Sequence, residues 1–125
     1  MNTGMGKTIL VIDDDAMNLK RAEFILNKAG YNVLTAASGG EGIEILEKGA
    51  VNLTLLDIEM PVMNGIQTLK QIRENSAICG SRVMALTASD DEEMRRQMDE
   101  LGAVGYIKKP FMPPVLQKQV EEALA

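Results

Sequence analysis

Four short apolar runs, each stopped by a polar residue, constrain this chain more than any other feature. Ile9-Leu10-Val11-Ile12 ends in Asp13-Asp14-Asp15, and Leu53-Thr54-Leu55-Leu56 ends in Asp57. Val83-Met84-Ala85-Leu86 ends in Thr87, and Val104-Gly105-Tyr106-Ile107 ends in Lys108-Lys109-Pro110. Runs this short and nearly unbroken read as strands buried on both faces. Each strand then delivers acids, a hydroxyl or an amine to one edge, and Asp57 opens the turn Ile58-Glu59-Met60-Pro61-Val62-Met63-Asn64-Gly65 at a strand mouth, exposed to chemistry.

The segments between the runs have helical spacing. Leu19, Ala22, Ile25, Leu26 and Ala29 share one face of a 3.6-residue repeat closed by Gly30. Asn32-Val33-Leu34-Thr35-Ala36 then reads as a further strand, and Ser38 precedes a helix with Ile43 and Leu46 inward and Gly49 near its end. Ile66, Leu69 and Ile72 line a third helix. Met94, Met98 and Leu101 mark a fourth, closed by Gly102, and Leu116, Val120, Ala123 and Leu124 mark a fifth. Alternating strands and helices imply right-handed crossovers and a parallel sheet covered on both faces. The expected fold is α/β: a doubly wound, five-stranded parallel sheet in the order 2-1-3-4-5 with five surrounding helices. Ligands of such sheets bind at the carboxyl ends of the strands near the topological switch point, where strands 1 and 3 lie side by side.

A chain of 125 residues suits one domain, expected to span 7–125, with residues 1–6 as a flexible leader. A formal net charge of −5 without a Lys/Arg cluster argues against nucleic-acid binding by this domain alone. Cys79 is the only cysteine, so there is no internal disulfide, and no stretch is apolar enough to span a bilayer. A cytoplasmic location is expected. The chain contains no histidine, which removes an imidazole base, a His metal ligand and a phosphohistidine of its own.

Asp13, Asp14 and Asp57 converge on one cleft in this topology, while Asp15 fits an ordinary helix N-cap. Crowded carboxylates repel and call for a cation. Oxygen ligation with few protein groups suits Mg²⁺, which keeps several of its waters. A carboxylate beside Mg²⁺ can attack a phosphoryl group to give an acyl phosphate, and Asp57 is the candidate nucleophile. A lysine ammonium from the last strand could hold a phosphoryl oxygen; Lys109 is the first candidate and Lys108 its competitor.

The combination Ile12-Asp13-Asp14, Asp57 with Met60-Pro61 and Asn64-Gly65, Leu86-Thr87-Ala88, and Lys109-Pro110-Phe111 closely resembles the receiver domain of bacterial two-component response regulators, of the chemotaxis-regulator kind. The resemblance runs from about Lys7 to the last helix. It implies a flavodoxin-like fold with Asp57 as phosphoacceptor, Asp14 and Asp57 as direct Mg²⁺ ligands, Asp13 acting through water, and the backbone carbonyl of Glu59 as a further ligand. By the same resemblance Thr87 is the switch hydroxyl, Ala88 donates its backbone N–H, Lys109 pairs with the phosphoryl oxygens, and the Lys109-Pro110 bond is typically cis. Tyr106 matches the aromatic that swings inward when Thr87 moves. Glu59 and Ser89 occupy the positions that shape the lifetime of the phosphoryl group.

The implied function is phosphorylatable signalling rather than enzymatic turnover. The partners would be a sensor histidine kinase or histidine phosphotransfer domain as donor and a downstream output protein or domain. The fourth helix, fifth strand and fifth helix would form the output face, with homodimerisation on phosphorylation a family possibility. Three other readings compete: a degenerate receiver acting as an unphosphorylated interaction module, a Mg²⁺-dependent phosphatase with an Asp nucleophile, and a nucleotide-binding flavodoxin-like module. The phosphatase would need a cap for which there is no room, and the nucleotide site would need glycines where this chain has acids.

Overall fold

The structure, a computed structural model, describes residues 6–60 and 63–125. Most of the leader and Pro61 of the Met60-Pro61 pair lie outside the described residues. Ten elements alternate along the chain: β1 (Thr8–Ile12), α1 (Ala16–Lys28), β2 (Asn32–Ala36), α2 (Gly39–Glu47), β3 (Leu53–Asp57), α3 (Gly65–Glu74), β4 (Val83–Thr87), α4 (Glu92–Glu100), β5 (Tyr106–Lys108) and α5 (Pro113–Leu124). All strand pairs are parallel, and the sheet order is β2-β1-β3-β4-β5, as expected from the sequence.

The period of two along each strand divides the core into two layers. Ile9, Val11, Leu53, Leu55, Met84, Leu86 and Ile107 face α1 and α5, where Ala22, Ile25, Leu26, Leu116 and Val120 close over them. Leu10, Ile12, Leu56, Val83 and Ala85 face the opposite side, covered by Leu46, Leu69, Ile72 and Met98 from α2, α3 and α4. Burial on both faces is why these strands show almost no polar alternation. At roughly 25 cal/mol per Å² of apolar surface, each buried aliphatic side chain contributes about 1.5–3 kcal/mol.

Local chemistry fixes the helix starts at the carboxyl edge. Asp15 caps α1 by accepting from Met17 N–H and Asn18 N–H, the ordinary role read for it. Ser38 caps α2, and Asn64 forms a reciprocal capping box with Gln67 at the start of α3. Gly30 and Gly102, at positive φ, follow α1 and α4. One run is displaced: β5 begins at Tyr106 rather than Val104, and Val104 is exposed. Val104 N–H and the Gly105 carbonyl already bond to β4, but β5 is an edge strand with one neighbour, so its outer side leaves Val104 uncovered.

Candidate phosphoacceptor site

β1 and β3 are neighbours at the switch point, with Ile12 opposite Leu56, so the residues that follow them, Asp13 and Asp57, reach the same place. Carboxylate oxygens of Asp13, Asp14 and Asp57 lie within 4.8 Å of one another. Asp57 corrects one expectation: rather than exposed at the strand mouth, it is the last residue of β3 and only 1% exposed. Asp13 is fully buried and Asp14 exposed. Asp13 Oδ1 accepts the Asp15 N–H at 2.9 Å, and Asp57 Oδ1 accepts the Glu59 N–H at 3.2 Å.

The two lysines at the end of β5 separate by the strand's alternation. Lys109 Nζ lies 2.9 Å from Asp57 Oδ1 and 3.1 Å from Asp13 Oδ2. Lys108 points away, half exposed, and pairs with Asp90. The Lys109-Pro110 bond is cis. Loss of water on burial pushes the Asp57 carboxyl up to about 7 against the opposing hydrogen bond from Lys109, and the nearby Asp13 charge adds to the rise. Burial works against the Lys109 ammonium, but its contacts with Asp57 and then Asp13 outweigh that and raise its pKa.

Lys109 meets two of the three clustered carboxylates, Asp13 and Asp57, so one ammonium faces three acids and negative charge is in excess, and this is the observation against which a cation can be tested. All the side-chain donors are hard oxygens, with no His or Cys among them, which fits Mg²⁺.

β4 supplies the remaining groups. Thr87, buried at its end, donates its hydroxyl hydrogen to Glu59 Oε2 at 2.7 Å, and Ala88 N–H donates to Glu59 Oε1 at 2.8 Å. Ser89 N–H donates to Thr87 Oγ1 at 3.0 Å. Tyr106 stands further along, with its hydroxyl 2.7 Å from the Arg95 carbonyl oxygen and 2.6 Å from Asp99 Oδ1, both acceptors for its one proton. The Arg95 guanidinium lies over its ring. Burial, then the Asp99 carboxylate, pushes the Tyr106 hydroxyl up to about 12. The structure thus brings Asp13, Asp14, Asp57 and Lys109 together, sets Thr87 and Ala88 against Glu59, and leaves Tyr106 bound to α4.

Two contributors were not visible in the sequence. By resemblance the Glu59 side chain occupies only a position that shapes lifetime, and its neighbours Ile58 and Met60 offer no period that fixes its direction. Arg73 donates to the carbonyls of Leu101, Cys79, Ser81 and Gly102 at 2.7, 2.8, 2.7 and 3.3 Å, tying the turn before β4 to the one after α4. A lone arginine on a helix gives no signal of such a role.

Residues 9–121 match the family model described as the response regulator receiver domain. Among curated proteins the chain is 38% identical over 117 residues to a probable C4-dicarboxylate response regulator of Priestia megaterium, covering 92% of this chain and 50% of that protein. It is 30% identical over 117 residues to Protein PilH of Pseudomonas aeruginosa, covering 94% and 97%. Among solved structures the chemotaxis protein CheY4 of Vibrio cholerae superposes with a TM-score of 0.90 at 30% identity, covering 97% of this chain and 100% of that one. The chain spans about half the length of several of the curated relatives it matches, including the Priestia regulator and a Bacillus subtilis transcriptional regulator covered over 49%.

Proposed function

The chain belongs to the response regulator receiver domain family of two-component signalling, and from that membership we propose that residues 7–125 form a phosphoacceptor unit that takes a phosphoryl group from a phosphohistidine onto Asp57. The observation that carries this reading is the buried Asp57 carboxylate held 2.9 Å from Lys109 Nζ with two further acids beside it. A carboxylate oxygen of Asp57 forms a bond to phosphorus as the P–N bond of the donor breaks, and the imidazole leaves with the electron pair of that bond. The product is an acyl phosphate. Lys109 would meet one of the phosphoryl oxygens, and the Thr87 hydroxyl and Ala88 N–H another.

Asp14 and Asp57 would hold Mg²⁺ directly, with Asp13 acting through water and the Glu59 carbonyl as a further ligand. The bound ion would neutralise charge between the incoming phosphoryl group and the acids. The donor is a separate sensor histidine kinase or phosphotransfer domain, since this chain has no histidine. The response passes from Thr87 through Tyr106 to the face formed by α4, β5 and α5, which meets an output protein or domain and can also mediate dimerisation. Loss of the phosphoryl group by hydrolysis at the same site resets the switch. Comparable domains occur in a Bacillus subtilis transcriptional regulatory protein and in a cyclic di-GMP phosphodiesterase of Thermotoga maritima. The expected setting is the cytoplasm, and among the described residues no helix is long and apolar enough to cross a membrane.

Incubation with acetyl phosphate and Mg²⁺ tests the reading by intact mass. One added phosphoryl group, lost in Asp57→Asn and in the presence of a chelator, is expected. No gain in the wild type, or an equal gain in the variant, contradicts it.

A further inference from the structure

Glu59 sits on the exposed turn that leaves β3, yet its carboxylate is engaged at both oxygens. One oxygen takes the Thr87 hydroxyl at 2.7 Å and the other the Ala88 N–H at 2.8 Å. Among the described residues no cation forms an ion pair with it. An exposed carboxylate gains little by leaving water for a single donor. A fork of two donors from consecutive residues, bound to both oxygens of one anion, is a stronger and more directional arrangement.

We propose that Glu59 is an intramolecular surrogate for the phosphoryl group: its carboxylate occupies the Thr87 and Ala88 donor pair in the unmodified domain, and a phosphoryl group on Asp57 must displace it. The inference rests on the phosphoacceptor reading above. Two anions cannot share one donor pair without repulsion, and the chain offers both sites within two residues of each other. Two consequences follow from the geometry. The Thr87 hydroxyl already holds an anion before any modification, so the event it reports is the exchange of one anion for another. The part released is Glu59 itself, two residues past the end of β3. Glu59 therefore acts as a positioning residue that sets a threshold: it keeps the donor pair ordered and makes the incoming group compete for it.

Glu59 is exposed, so Glu59→Ala and Glu59→Gln leave the core untouched. In the unmodified, metal-free proteins, the amide resonances of Ala88 and Ser89 are expected to shift in Glu59→Ala, with Ala88 N–H exchanging faster with solvent. Glu59→Gln, which keeps an acceptor oxygen but no charge, should fall between. Beryllofluoride with Mg²⁺, used as a non-covalent phosphoryl probe, should bind Glu59→Ala about tenfold more tightly than wild type, the worth of one charge-assisted hydrogen bond. An unmoved Ala88 amide, or equal beryllofluoride affinity in all three proteins, overturns the proposal alone. Failure of all three to bind the probe overturns the phosphoacceptor reading, and the proposal with it.

Discussion

Burial decides how Asp57 behaves when no cation is present. Its carboxyl rises from 3.8 to about 7, because desolvation and the neighbouring Asp13 outweigh Lys109. The folded protein therefore binds a proton at Asp57 that the unfolded chain has already released between these values. Stability contributed by this residue is greatest below about pH 4 and falls as pH rises toward 7, by on the order of a few kcal/mol in total. Asp57→Asn removes the penalty. In metal-free buffer the variant should thus gain on wild type as pH rises, with little difference near pH ~4 and a clear excess near pH ~8 in denaturant melts. A gap that does not change with pH would show that the buried charge costs nothing. Mg²⁺ should reverse the order at the higher pH, because binding stabilises the native state of wild type most.

Among the elements, the start of α3 packs directly on the end of β3. A Cβ on Gly65 would sit 2.6 Å from the Asp57 carbonyl oxygen and 2.7 Å from Ile58 Cα, so α3 starts in direct contact with the backbone that carries Asp57. Gly65→Ala should cost about 1–3 kcal/mol and disturb the Asp57 turn, seen as lower stability together with weaker Mg²⁺ binding. Arg73→Ala should cost roughly 2–3 kcal/mol, with Arg73→Lys recovering less than half, since one ammonium cannot span the separate carbonyls that the planar guanidinium reaches. Full stability in Arg73→Ala would contradict the role given to it. The sequence made most elements legible because apolar runs buried on both faces and helices with a single inward stripe have different periods. It placed β5 but began it two residues early, because an edge strand of three residues carries little pattern, and it missed Arg73, whose partners are all backbone carbonyls and leave no mark in side-chain chemistry.

For the whole molecule, the site exists only because the sheet order sets the ends of β1, β3, β4 and β5 along one edge. That much could be read from the chain: Asp57 and Thr87 end strands, Asp13, Asp14 and Lys109 come just after them, and the topology does the rest. The burial of Asp57 was not legible, because a turn sequence shows where a strand stops but not how deep its last residue lies. Nor was the direction of the Glu59 side chain, which depends on a rotamer and on donors 28 and 29 residues away. Lys108 and Lys109 were legible only as alternatives; in space Lys109 meets Asp13 and Asp57, while Lys108 pairs outward with Asp90. The central claim is that one carboxylate on this edge carries the phosphoryl group. Borohydride reduces an acyl phosphate, and not a free carboxylate, to an alcohol. Peptide mass mapping after treatment with acetyl phosphate, Mg²⁺ and borohydride should therefore find homoserine at position 57 and aspartate at 13 and 14; reduction at either neighbour, or at no position in a protein that has gained the phosphoryl mass, would contradict the account.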